Sequence, residues 1–198
     1  MKIHNFSQQS EDWFNIRKGK MTASHAQAIG NNGKGLESYI MELMAEYYSI
    51  SEKDYFSNGD TERGIELEEQ ARSIYELERD IKVEQVGFIE YNDFAGCSPD
   101  GLIGEDGGIE IKSLNDCNHF KLWINGEKEI DTKHLWQIQM NLLITGRKWW
   151  DFISYNPNYQ KELVVYRILP DEKMQEKILE GIEKGMKKIK EIKELCEE

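Results

Sequence analysis

The chain has 198 residues, five Trp, nine Tyr, seven Phe and a formal net charge of −12. That length suits one domain, 1–198, with a sizeable core, and the aromatic content argues against disorder. A run of about eighteen apolar residues is missing, which excludes a membrane-spanning helix.

Three cysteines, Cys97, Cys117 and Cys196, lack any C-x-x-C spacing and are odd in number. Structural zinc and a disulfide framework are therefore not expected. With no apolar leader in MKIHNFSQQSEDW, the prediction is a cytoplasmic protein. The acidic total speaks against nucleic acid only on average. Residues 13–36 contain no Asp or Glu but carry Arg17, Lys18, Lys20 and Lys34, a local basic segment on an acidic body.

In chain order, residues 7–17 read as a short amphipathic helix with Ser10 as N-cap ahead of Trp13, Phe14 and Ile16. Thr22 or Ser24 is placed to cap a second short helix ending at Gly30. Residues 36–49 set Leu36, Tyr39, Ile40, Leu43, Met44 and Tyr47 at helical spacing, and 60–79 do so with Ile65, Leu67, Ala71, Ile74, Tyr75 and Leu77. Val83 to Tyr91 reads as a strand. A hairpin follows in GCSPDGLIGEDGGIEIKS, where Pro-Asp-Gly and Glu-Asp-Gly-Gly are turn strings. Helices are predicted over 115–124 and from Thr132 to Ile144, stopping at Gly146. Trp149 to Tyr155 and Leu163 to Leu169 read as strands joined by NPNYQ, and a long helix starts near Asp171. Its inward face holds Met174, Ile178, Ile182, Met186 and Ile189. The pattern is a mixed α/β domain with about five strands flanked by helices.

The hairpin carries the chemistry. In a strand, Glu110 and Lys112 share one face while Ile109 and Ile111 take the other, so an acid and a base point together away from one apolar layer. Asp100 lies in the preceding turn. The 60–79 helix adds Glu62, Glu66, Glu68 and Glu69, among which periodicity does not choose. Carboxylates converging in a cleft repel, which calls for a cation, and all-oxygen ligands suit Mg²⁺, with Mn²⁺ as a substitute. A lysine beside a hard cation can orient water and steady a developing oxyanion. These are parts for phosphodiester hydrolysis. A turn Asp beside an exposed Glu–Lys pair is the alternative on these residues alone.

GCSPDGLIGEDGGIEIK resembles the active-site segment of the lambda exonuclease and YqaJ-like viral recombinase family, within the PD-(D/E)XK nuclease superfamily. The resemblance extends to SEDWFNIRKGKMTAS, RGIELEEQAR and WQIQMNLLITGRKWWDFISYNP, in matching order and spacing. It implies a restriction-endonuclease-like core in which Asp100 and Glu110 bind the metal with the Ile111 carbonyl and Lys112 is the catalytic lysine. It also implies that Glu68 is the additional helix glutamate and that Gln137 positions the strand or the lysine. Arg17 matches an arginine gripping the DNA 5′-phosphate, with Thr22, Ser24 and Ser98 as neighbouring donors. His134 stands where some relatives have an aromatic, and on its own residues it reads as a surface histidine of a helix. The activity implied is a Mg²⁺-dependent 5′-to-3′ exonuclease acting on duplex DNA ends and leaving 3′ single strands for annealing recombination. A phage or prophage origin, a single-strand annealing partner and a homotrimer belong to the same expectation. The rivals are a restriction or repair endonuclease of the superfamily, to which an end clamp at Arg17 is useless, and a non-catalytic DNA-binding protein, against which intact Asp100, Glu110 and Lys112 argue.

Overall fold

The computed structural model describes residues 1–50 and 59–197, the side chains of 59–62 and 197 excepted. Strand β1 (Lys2–His4) leads to helix α1 (Glu11–Arg17), whose N-cap Ser10 accepts from the Trp13 N–H. A short strand β2 (Met21–Thr22) and a 3-10 turn over Ala23–His25 precede α2 (Ala26–Asn31) and α3 (Lys34–Tyr48). Helix α4 (Gly59–Arg79) is followed by β3 (Phe88–Asn92), β4 (Ala95–Cys97), β5 (Gly101–Ile103) and β6 (Gly107–Ser113). Helices α5 (Asp116–Asn125) and α6 (Thr132–Thr145) then lead to β7 (Trp149–Tyr155), β8 (Leu163–Ile168) and α7 (Glu172–Glu197).

The fold is mixed α/β, as expected, but among the described residues the strands form two four-stranded sheets where about five strands were expected. Their orders are β1-β3-β4-β2 and β5-β6-β7-β8. The extra strands are β1, β2 and β4, each two or three residues long. Such lengths are too short for an alternating pattern to stand out. In the second sheet β6 and β7 are parallel, so the chain crosses over through α5 and α6, while β5–β6 and β7–β8 are antiparallel. The link Ser98–Asp100 carries the chain from the first sheet to the second.

Strand alternation divides the core. Ile109, Ile111 and Ile153 face α4 and pack with Ala71 and Tyr75. Trp150, Phe152, Val164 and Ile168 take the other face and join Leu122, Ile138 and Leu142 beneath α5 and α6. Each fully buried side chain of this kind contributes about 1.5–3 kcal/mol. Helix α7 lies on α2 and α3 through Ile178, Ile182 and Ile189, and a Cβ at Gly181 would overlap the Ile29 carbonyl. Two helices approach there as only glycine permits.

Three local expectations are corrected. Val83–Val86 form no regular strand: pairing begins at Phe88, and Glu84 makes a single bridge to Leu102. Thr22 takes the N-cap position of the 3-10 turn that leads into α2, but its side chain makes no capping bond and Ser24 lies inside that turn; the two hydroxyls are 3.1 Å apart and bond each other. On α4, Leu67, Ala71, Ile74 and Tyr75 pack inward as expected, joined by the polar Glu68 and Arg72, while Ile65 and Leu77 are exposed. Glu68 and Arg72 broaden the inward face beyond its apolar stripe, and of the expected set only Ile65 and Leu77 fall outside it.

Candidate active site

Glu110 is fully buried near the middle of β6, on the face opposite Ile109 and Ile111. Two amides one turn apart on α6 hold its carboxylate: Gln137 Nε2 donates to Oε1 at 2.6 Å and Asn141 Nδ2 to Oε2 at 3.2 Å. Lys112, two residues along the same strand face, brings Nζ to 2.6 Å from Oε1. The acid and base therefore do point together.

Asp100 closes the edge of β6. Strand β5 stops at the register of Ile109, and beyond it the Ile111 N–H donates to Asp100 Oδ2 at 2.6 Å. The N–H and C=O of one strand residue share an edge, so the Ile111 carbonyl opens on the side where Asp100 stands. A Cβ at Gly101 would overlap Val83, which keeps the turn after Asp100 tight against the chain. From α4, Glu68 Oε1 pairs with Arg72 Nη2 at 2.5 Å, and Arg72 Nε donates to the Asp100 carbonyl at 3.3 Å.

The electrostatics bind these groups together. Burial and then the Asp100 charge push both Glu68 and Glu110 up to about 7. Burial likewise raises Asp100, against the pull of Lys112, the Ile111 N–H and Arg72. Burial alone would lower the Lys112 ammonium, but the Glu110 and Asp100 charges prevail and raise it. Lys112 is thus a firmly held cation among three acids that disfavour one another's charge.

That donor set fits a hard divalent cation. Among the described residues, no three His, Cys, Asp or Glu side chains are already gathered as a closed ligand shell. Yet Asp100, Glu110 and Glu68 interact through space, offer only oxygen, and carry charge that burial and mutual repulsion destabilise. A cation would relieve that repulsion.

A second pocket lies beside the first, joined through residues 97–100. Arg17 Nη1 donates to Ser98 Oγ at 3.0 Å, Trp13 Nε1 reaches the same oxygen at 2.9 Å, and the guanidinium lies 3.9 Å from the Trp13 ring centroid. Thr22 lines this pocket with Lys18, Lys20 and Tyr39, whose hydroxyl accepts from the Thr22 N–H. Ser24 is exposed at its margin and bonds Thr22. Glu42 and Glu46 also line the pocket. Burial lowers the Arg17 pKa, and the buried Cys97 thiol senses both Glu110 and Arg17, which ties the two pockets together.

His134 is not a surface histidine. It is half-buried, its ring centroid lies 5.7 Å from that of Phe152, and its Nδ1 is buried without a hydrogen-bond partner. Burial and the nearby Lys112 lower it to about 4, so it is neutral at neutral pH. Glu66 and Glu69 are exposed, and the Glu62 side chain lies outside the described residues. Sequence reasoning missed Asn141 and Arg72, although each stands four residues after a recognised site residue, Gln137 and Glu68. It also missed Trp13 as a partner of Ser98 and Gln8, which donates to the Val86 and Pro99 carbonyls. For Gln8 no sequence signal exists.

Residues 12–148 match the model of the YqaJ-like viral recombinase domain. No curated protein matches the chain significantly. Among solved structures it is similar to LHK-Exo in complex with dAMP, with 31% identity, a TM-score of 0.83 and coverage of 94% of this chain and 96% of that one. A second structure of LHK-Exo, an alkaline exonuclease from Laribacter hongkongensis, gives 29% identity, a TM-score of 0.79 and coverage of 94% and 98%. A phage-related exonuclease from Haemophilus somnus 129PT shares the fold at 17% identity and a TM-score of 0.64, covering 92% and 98%. The matched segment contains Arg17, Glu68, Asp100, Glu110, Lys112 and Gln137. By sequence and by fold, this chain belongs to the YqaJ-like viral recombinase family.

Proposed function

We propose that this protein is a Mg²⁺-dependent exonuclease that degrades one strand of linear duplex DNA from its 5′ end, leaving 3′ single strands for annealing recombination. The observation that carries the reading is the buried Glu110–Lys112 pair with Asp100 at its edge, one short link from the Arg17–Ser98 pocket. The likeness to LHK-Exo over 94% of the chain supports it, and the dAMP bound to that protein has the form of a 5′-mononucleotide product.

Asp100, Glu110, Glu68 and the Ile111 carbonyl would hold the cation. When bound, it would supply Lewis-acid polarisation of a phosphoryl oxygen. Lys112 remains protonated, so its role is to orient the attacking water and stabilise charge on the phosphoryl oxygens, not to accept a proton. Gln137 and Asn141 keep Glu110 in one rotamer, which spares the site reorganisation. Arg17, Thr22, Ser24 and Ser98 receive the terminal phosphate, the guanidinium offering two parallel donors.

Water attacks phosphorus and the bond to the 3′-oxygen breaks, with that oxygen taking a proton. The released nucleotide leaves with its own 5′-phosphate and a 3′-hydroxyl, and the scissile phosphate stays on the 5′-oxygen of the next nucleotide, so the shortened strand again presents a terminal 5′-phosphate to Arg17. Direction follows from that regeneration. A partner annealing protein and a homotrimer are further parts of the reading and rest on the family likeness.

The test is digestion of linear duplex labelled at either end, with Mg²⁺ or EDTA, beside a closed circle. Mg²⁺-dependent loss of label from the 5′ end only, with the circle intact, is expected. Cutting of the circle would favour an endonuclease, and loss from 3′ ends would reverse the polarity.

A further inference from the structure

We infer that Arg72 is a positioning residue for the metal site: one buried guanidinium sets the distance between the helix glutamate Glu68 and the Pro99–Asp100 turn. The inference rests on the metal-dependent reading above and names a residue outside the ligand set.

Arg72 is only 9% exposed although it is an arginine. Its fork spans three separate parts of the chain. Nη2 holds Glu68 Oε1 at 2.5 Å within α4, and Nε donates to the Asp100 carbonyl at 3.3 Å. With its amide oxygen turned toward the guanidinium, Gln85 accepts from Nη1 at 2.6 Å and from Nη2 at 3.2 Å. Gln85 neighbours Glu84, which pairs with Leu102 in β5, so the fork is braced from behind by the strand that follows Asp100.

The turn is gripped twice. Gln8 donates to the Pro99 carbonyl at 2.8 Å and Arg72 to the next carbonyl along, that of Asp100. With its carbonyl fixed and its carboxylate bonded to the Ile111 N–H, Asp100 has little freedom left. Glu68, reaching in from α4, gains its position relative to Asp100 through Arg72. A rigid planar fork transmits that geometry, whereas a lysine ammonium is a point charge on a flexible stem. Groups that orient metal ligands without touching the metal typically govern affinity by about 10–100-fold.

The experiment is a Mn²⁺ titration of the full chain read by thermal shift and by calorimetry, for wild type and Arg72→Lys, with nuclease rates measured in parallel. Wild type should be stabilised by Mn²⁺. Arg72→Lys should need about 10–100-fold more Mn²⁺ for half its thermal shift, and its rate at saturating Mn²⁺ should fall by a smaller factor. A purely structural arginine would lower the melting temperature in EDTA and leave the Mn²⁺ midpoint unchanged, which would overturn the inference. Gln85→Leu removes the brace but keeps the Glu68 and Asp100 bonds, and it carries the test should Arg72→Lys not fold. A raised midpoint in Gln85→Leu supports the inference, and an unchanged one overturns it. Wild type that shows no Mn²⁺ response overturns the metal-dependent reading itself, a result distinct from a wild-type response that the variants share.

Discussion

Lys112 Nζ and Gln137 Nε2 meet the same oxygen of Glu110, each at 2.6 Å. One neighbour is a cation on the same strand and the other a neutral amide on α6, so the carboxylate is held from two elements at once. Replacing Glu110 by Gln, or Asp100 by Asn, keeps the shape of the site and removes the charge a cation needs. Cleavage should fall to background in both, with the metal-free protein at least as stable as wild type because mutual repulsion is relieved. Rate assays and melting curves in EDTA check the two halves of this expectation.

Lys112→Ala should cut the rate by about 10²–10⁴-fold while Mn²⁺ still binds. Calorimetry alongside single-turnover rates tests the split. Loss of metal binding with normal turnover at saturating metal would reverse the assigned roles.

Glu68 and Glu110 are held at about 7, above their ordinary value of 4.5. Between those values the folded state binds more protons than the unfolded one, so stability falls as pH rises. The metal-free protein should therefore lose stability from about pH 5 to pH 8, and Glu110→Gln should flatten part of that slope. Cation binding should release protons near pH 7 and almost none at pH 9, where both acids are already ionised. Calorimetry in two buffers of different ionisation heat measures the release directly.

Arg17→Lys keeps the charge and loses the planar fork. Wild type should digest 5′-phosphorylated duplex faster than the 5′-hydroxyl form, and Arg17→Lys or Arg17→Ala should shrink that difference. All rates must be taken at one salt concentration, since phosphate contacts weaken as salt rises. Equal wild-type rates on the two ends would remove the clamp.

On the other face of the sheet, Tyr75 donates to Asp151 Oδ2 at 2.6 Å, and Arg167 donates to both Asp151 oxygens at 2.8 and 3.0 Å. Tyr75→Phe leaves Asp151 paired. It should cost about 1 kcal/mol, or roughly 2–4 °C in melting temperature, with little change in rate. A large fall in rate at constant Mn²⁺ midpoint would show that α4 needs this anchor to act.

The strand alternation that set Glu110 and Lys112 together was legible because period two is strict and both neighbours are isoleucine. The long helices were legible from their apolar stripes, and Ser10 from its place ahead of Trp13. Periodicity did not single out Glu68, because Glu62, Glu66, Glu68 and Glu69 crowd one half of the helix; the family resemblance chose it, and contact with Arg72 beside the Asp100 carbonyl sets it apart. Strands β1, β2 and β4 gave no pattern of their own, since their pairing is supplied by residues far along the chain. His134 misled because its helix is amphipathic only in part: the site end of α6 buries polar side chains.

Strand β6 outlasts its neighbour β5, and the acids of the site stand where the shorter strand gives out. Counting along the chain is therefore as critical as chemistry. Deleting Gly108 would move Glu110 and Lys112 to the α4 side relative to β7 and turn Ile109 and Ile111 into the cleft. Asp100, Glu110 and Lys112 would all still be present, and the cleft would be lined with hydrocarbon. A change in the loop Gly104–Asp106 leaves the β6–β7 register untouched, so length variation can accumulate at that tip and not two residues later.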